Sequence, residues 1–282
     1  MKSHYPTFLY IGAEKAGSTW IWEILREHPD VFVTPAKDLM FFYSQQYRER
    51  GFNWYLNNFE GEEDKIARGE VDHDLFMHDE CAQRIQNHLP EIKLIACLRE
   101  PISRTLSSYI YYKLTKLNEE TSFEDYIKLP RTLKLSDYYH NLKPFYNHFP
   151  AENILVLYYD ELVNDASAFA ERIFDFLGAD PSFVPKVLNK KLIPASKARF
   201  TWLAHLSYRF GLIMRKLSAP NVVGAVKTSG VFNRLLYKPL DKKPEIALET
   251  RQKLWAYYQE RYEGLPELIG RPLPEKWLEE PV

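Results

Sequence analysis

Three short apolar runs, each followed by a stretch of helical periodicity, frame this chain. Phe8 to Ala13, FLYIGA, is apolar and ends at a glycine, as a buried strand feeding a loop does. In STWIWEILREHPD, Ile21, Ile24 and Leu25 recur at helical spacing, Ser18 suits the N-cap, and Pro29 stops the helix. Lys93 to Leu98, KLIACL, is a second buried strand, and the PISRTLSSYIYY after it opens a helix on proline. Asn153 to Tyr159, NILVLYY, is a third. The DELVNDASAFAERIFDFLG that follows reads as one long amphipathic helix capped by Gly178. Strands alternating with helices of ten or more residues predict an α/β fold around a mainly parallel sheet. PEIALETRQKLWAYYQERY predicts a terminal helix, whereas the stretch from about Pro185 to Pro244 has no clear period. Without a repeat, low-complexity tract or linker, the expectation is one domain over residues 1–282.

Composition narrows the partners. Thirty-seven basic residues against 38 acidic ones leave a formal charge of −1, so no basic excess points to nucleic acid. Cys81 and Cys97 belong to no metal pattern and read as reduced thiols. The first strand starts too early to leave room for a signal peptide. No apolar run approaches the roughly 18 residues of a membrane span, so the expectation is a soluble, cytoplasmic protein.

The chemistry begins at IGAEKAGSTW, residues 11 to 20. Gly12 and Gly17 have the spacing of a phosphate-cradling loop closed by Ser18 and Thr19, but the lysine of a Walker loop, directly after the second glycine, is missing. Lys15 stands inside the loop instead. A loop between strand and helix offers backbone N–H groups and the positive end of a helix dipole to an anion. A Walker site also holds magnesium through an aspartate at a neighbouring strand end, and here KLIACL ends in Arg99. A cation there repels a metal and attracts an anion, which predicts a multiply anionic nucleotide handled without metal. Eight residues on, Ser107 adds a hydroxyl donor to the fork of Arg99.

KAGSTW (Lys15 to Trp20) and REPISRTLSSY (Arg99 to Tyr109) resemble the two cofactor motifs of sulfotransferases that use 3′-phosphoadenosine 5′-phosphosulfate (PAPS). HPDVFVTPAKDLMFF and RGFNWYLNNF resemble segments of the heparan-type and bacterial branch, and the NILVLYY region and the closing RQKLWAYYQERYEGLPELIGRPLPEKW continue the likeness. The resemblance implies a P-loop-like three-layer fold, with helices flanking the sheet. It implies sulfuryl transfer from PAPS, without metal, to a hydroxyl or amine of a carbohydrate, lipid or other small molecule, leaving adenosine 3′,5′-bisphosphate. A P-loop kinase or NTPase and a non-catalytic nucleotide-binding relative are the alternatives.

By the same resemblance, Lys15, Ala16, Gly17, Ser18, Thr19 and Trp20 bind the 5′-phosphosulfate, with Lys15 also acting on the bridging oxygen. Arg99 and Ser107 bind the 3′-phosphate. Asp38 falls where the heparan branch has its glutamate base, one methylene shorter, and His73 in GEVDHDLF is the other candidate. The lysine that heparan enzymes carry in this stretch is replaced by Val71. His73 and His78 are five apart, which does not suit a metal pair on one helical face. The rings of Trp20 and Trp22 read as packing residues. Lys197 and Arg199 stand where relatives often carry further cofactor-binding bases, and the KARFTWLAHLSYRFGLIMRKLSAP that begins at Lys197 reads as a solvated amphipathic helix. The acceptor and the oligomeric state are not legible.

Overall fold

The computed structural model describes residues 4–116, 120–189, 196–198, 237–239 and 244–282. In chain order the elements are β1 (Phe8–Gly12), α1 (Ser18–Glu27), β2 (Val31–Val33), α2 (Gln46–Glu49), α3 (Gly51–Leu56), β3 (Ala67–Val71) and α4 (Asp79–His88). Then come β4 (Lys93–Leu98), α5 (Pro101–Lys116), α6 (Phe123–Tyr126), α7 (Pro130–Lys134), α8 (Tyr138–His148), β5 (Ile154–Tyr158), α9 (Tyr159–Asn164) and α10 (Ala166–Leu177). A short antiparallel pair, β6 (Ser196–Ala198) with β7 (Tyr237–Pro239), and helices Leu248–Gln259, Leu265–Ile269 and Glu275–Leu278 follow. Arg199 and most of the basic–aromatic stretch lie outside the described residues, as does the side chain of Lys197.

Five strands pair in parallel in the order β2-β3-β1-β4-β5. β1 is central, and the chain reverses its direction of travel between β1 and β4. In an open parallel sheet, the crevice beyond the strand ends at such a switch point is where ligands bind. The loops after β1 and after β4 therefore share one crevice. The expected α/β architecture is present, with the three apolar runs as β1, β4 and β5, covered by helices as parallel strands are.

Periodicity did not reveal β2 and β3. β2 has three residues, and β3 reads ARGEV yet is buried along its whole length. Its two charges are met internally. The Arg68 guanidinium donates to the carbonyls of Tyr5 (3.3 Å), Glu62 (3.4 Å) and Lys65 (2.6 Å). Glu70 accepts from the Tyr55 hydroxyl of α3 at 2.8 Å.

Two local expectations need correction. The long helix after β5 is two helices, because Asp165 is extended (φ −148°, ψ 92°) and its carboxylate accepts the N–H groups of Ser167 and Ala168, both at 3.0 Å. A side chain that satisfies two orphan donors starts a new helix rather than continuing the old one. Gly178 does cap it in the left-handed region. At the start of α1, Gly17 (φ 92°) is the N-cap, and Ser18 is the first helical residue, with no side-chain cap. The closing Trp277 is buried, and its indole donates to Asp160 at 3.0 Å, tying the C-terminal segment to the end of β5.

Candidate active site

The loop between β1 and α1 is shaped by two left-handed residues, Lys15 (φ 65°) and Gly17 (φ 92°). An Ala13 N–H donated to the Cys97 carbonyl at 2.9 Å holds it against β4. The N–H groups of the first helical turn have no intrahelical acceptor, so Ser18, Thr19 and Trp20 present an anion-binding turn. Ala16 is fully buried and the Trp20 ring packs edge-on against Phe169 at 5.8 Å, so these two residues offer only backbone. Trp22 is likewise a packing residue, and its indole donates to the Thr34 carbonyl at 3.0 Å.

Lys15 and Arg99 meet here, although 84 positions separate them. Arg99 Nη1 donates to the Lys15 carbonyl at 3.0 Å. Each cation lies over an aromatic face: Lys15 Nζ is 4.3 Å from the Tyr111 ring centre, and the Arg99 guanidinium 4.6 Å from that of Tyr159. The backbone of Arg99 is pinned by Tyr138, whose hydroxyl donates to its carbonyl at 2.6 Å. Ser107 is half-buried in the second turn of α5. Burial lowers the pKa of Lys15, and Arg99 and Arg104 lower it further against the opposing effect of Glu14. Arg104 was not singled out as a site residue. It is fully buried, donates to Ser136 Oγ, to Thr105 Oγ1 (3.1 Å) and to the Thr132 carbonyl (2.9 Å), and keeps one unpartnered nitrogen. Cations this close together repel one another, and an anion relieves them.

The second half of the site lies at the end of β3. The loop after β2 returns across it, with the Asp38 N–H donated to the Val71 carbonyl at 3.0 Å. Asp38 (φ 58°) and Met40 (φ 59°) are both left-handed, a conformation that costs a non-glycine residue roughly 1–3 kcal/mol unless its surroundings enforce it. Buried acids enforce it here. Glu70 accepts the Leu39 N–H (3.4 Å), and Asp72 accepts the Met40 N–H (3.1 Å) and the Tyr43 hydroxyl (3.2 Å). Both sequence candidates for the base are thereby brought together. His73 Nδ1 lies 2.6 Å from Asp38 Oδ1, and the His73 backbone N–H reaches the same oxygen at 3.5 Å.

Electrostatics separates these groups. Burial works against a charge on His73, but Asp38 outweighs it and holds the imidazole up to about 9. Burial, with Asp38 and Asp74 nearby, holds Asp72 up to about 7. Burial and Asp72 push Glu70 well above the usual carboxylate range. The ring of His78 stacks on Tyr43, with centres 4.4 Å apart. Sequence reasoning passed over Glu70 and Asp72, and their one available signal was acids in GEVDHD, directly after a strand-length segment.

Comparison with known proteins agrees with this architecture. Mouse (Mus musculus) heparan sulfate glucosamine 3-O-sulfotransferase 3A1 is 30% identical over 183 residues, 61% of this chain and 46% of that protein. Human (Homo sapiens) heparan sulfate glucosamine 3-O-sulfotransferase 5 is 25% identical over 188 residues, 62% of this chain and 54% of that protein. The chain thus spans about half the length of the curated relatives it matches. Among solved structures, the sulfotransferase from Alicyclobacillus acidocaldarius superposes with a TM-score of 0.68 at 20% identity, over 98% of this chain and 99% of that one, so the fold is shared. A family model described as "Sulfotransferase domain" matches residues 6–201, well over half of the sequence, and the chain belongs to that family.

Proposed function

We propose that this chain is a metal-independent sulfotransferase that moves the sulfuryl group of PAPS to a hydroxyl or amine of a small-molecule, lipid or carbohydrate acceptor. The observation that carries this reading is the contact of Arg99 with the Lys15 carbonyl, which joins the two anion-binding motifs into one site at the switch point of the sheet. Lys15, the α1 N-terminal turn and Arg99 fit the charges of such a nucleotide. PAPS supplies an activated S–O bond. The acceptor oxygen or nitrogen bonds to sulfur as the bond from sulfur to the bridging oxygen breaks, and adenosine 3′,5′-bisphosphate leaves. Lys15 offsets the charge on that bridging oxygen, while the N–H groups of Gly17 to Thr19 hold the 5′-phosphate. Arg99, with Ser107, takes the 3′-phosphate, the group that distinguishes this nucleotide from ATP.

Asp38 takes the acceptor proton. Its partner His73, held up to about 9, is the imidazolium at neutral pH and orients the carboxylate rather than serving as the base. The expected kcat/KM is level up to about pH 8 and falls as His73 deprotonates through about 9. A rate that climbs toward pH 9 would assign the base to His73 instead. Stability follows the same sense. A histidine pKa raised from 6.5 contributes fully below 6.5 and loses that contribution as pH rises through about 9.

The deciding experiment is thermal stabilisation by adenosine 3′,5′-bisphosphate in EDTA, compared with ATP plus magnesium. At a hundredfold its dissociation constant the bisphosphate stabilises by about 2.7 kcal/mol. Arg99→Ala is expected to weaken its binding about ten- to a hundredfold, as loss of a charge-assisted hydrogen bond does. Stabilisation by magnesium-ATP alone would sink the reading.

A further inference from the structure

We propose that Tyr111 is a positioning residue of the transfer site, whose ring holds the Lys15 ammonium where the bridging oxygen of PAPS departs. The inference rests on the sulfotransferase reading above. Lys15 Nζ lies 4.3 Å from the centre of the Tyr111 ring, within the range of a cation–π contact. Tyr111 stands on α5 four residues beyond Ser107, one turn further along the same face of the helix. The two positions are about 6 Å apart along the helix axis. One face of α5 thus offers a hydroxyl toward the 3′-phosphate and a ring to the cation of the phosphosulfate loop.

A ring suits this task where a carboxylate would defeat it. Among the described residues, neither Lys15 nor Arg99 has an ion pair, and each rests on an aromatic face. An acid in the place of Tyr111 would pair with the ammonium and compete with every anion that enters. A ring attracts the ammonium through its quadrupole, carries no net charge, and leaves the N–H groups on the far side for an oxygen. Burial, Arg99 and Arg104 disfavour the ammonium more than Glu14 favours it, so the ring supplies an attraction that the rest of the loop withholds.

A lysine also brings a flexible four-carbon stem and a strongly hydrated head. Without a surface to rest on, the ammonium samples water as well as the site. The ring therefore acts on the step in which charge develops at the bridging oxygen. The hold of Arg99 and of the first turn of α1 on the phosphates does not pass through it. Tyr111 is 43% exposed, so its replacement leaves the packed core intact.

The test compares Tyr111→Phe and Tyr111→Leu with the wild-type chain. PAPS turnover is followed with the acceptor that the wild-type protein sulfates, and bisphosphate binding by calorimetry in EDTA. Tyr111→Leu is expected to lower kcat about three- to thirtyfold, the range a cation–π contact spans, with KM for PAPS and bisphosphate affinity within about twofold. Tyr111→Phe keeps the ring and is expected to keep the rate. A second measurement needs no acceptor. The NMR signal of the Lys15 ε-methylene protons, assigned by its loss in Lys15→Arg, is expected upfield in the wild type and in Tyr111→Phe, shifted by the ring current. In Tyr111→Leu it returns to the ordinary lysine position. An unchanged rate in Tyr111→Leu, or a Tyr111→Phe variant equally slow, overturns the inference while the sulfotransferase reading stands. So does a loss of bisphosphate affinity equal to the loss of rate, or an unshifted Lys15 signal in the wild type. Wild-type protein that binds no bisphosphate overturns both.

Discussion

Lys15→Met is expected to slow sulfuryl transfer about a thousandfold and to leave the folded chain as stable as before, or slightly more so. The rate effect is that of removing one positioned charge donor from a developing oxyanion, about 4 kcal/mol of barrier. The stability effect has a different origin. Burial, together with Arg99 and Arg104, disfavours the charge on Lys15. Methionine keeps the unbranched stem over Tyr111 and removes the repelled ammonium. A group that destabilises the empty protein and is relieved by an anion is the usual trade between stability and function. The measurement is PAPS consumption, with the acceptor that the wild-type protein sulfates, alongside thermal unfolding of both proteins. A variant retaining a tenth or more of the wild-type rate would remove Lys15 from its role. A rate lost together with the fold would make it structural.

Gly69→Ala is expected to destabilise the chain by about 4 kcal/mol or more, at the exceptional end for a single substitution. Gly69 lies opposite Phe8 in the β1–β3 ladder. A Cβ there would lie 2.2 Å from the Phe8 carbonyl oxygen and 2.7 Å from Cγ of its ring. The oxygen is backbone, and Phe8 is wholly buried in a strand paired on both sides, so neither group has room to yield. The methyl must push β3 out of register with β1. Because β3 carries Glu70 and leads directly into Asp72 and His73, the Asp38 loop loses its support with it. A melting temperature at least about 10 °C lower is expected for a chain of this length. One within about 2 °C of wild type would show that the two strands separate more easily than their packing indicates.

The particular residues show why some of this was legible in sequence and some was not. β1, β4 and β5 are parallel strands covered on both faces, so burial demands unbroken apolar runs, and FLYIGA, KLIACL and NILVLYY announce themselves. β3 is equally buried, but Arg68 and Glu70 find their partners at Tyr5, Glu62, Lys65 and Tyr55, in the loops and the helix α3 that precede it. A buried charge is admissible once it is satisfied, and satisfaction is a property of the fold. The break at Asp165 is the reverse case. An aspartate that caps a new helix was written in the sequence, but the amphipathic pattern on either side ran through it.

The chain by itself determined the three apolar strands β1, β4 and β5, the helices that follow β1 and β4, the two anion motifs and the base candidates, because spacing along a backbone fixes what one turn can present. Tertiary structure alone decided three things. It brought Arg99 onto the Lys15 carbonyl across 84 residues. It paired Asp38 with His73 at 2.6 Å, turning two rival bases into one charge pair. And it carried Lys37 to Ser18 and Thr19. Each is a contact between loops at the ends of different strands, and parallel pairing sets which strand ends meet. Local sequence carries no record of that pairing, because it is chosen by the burial of the whole sheet.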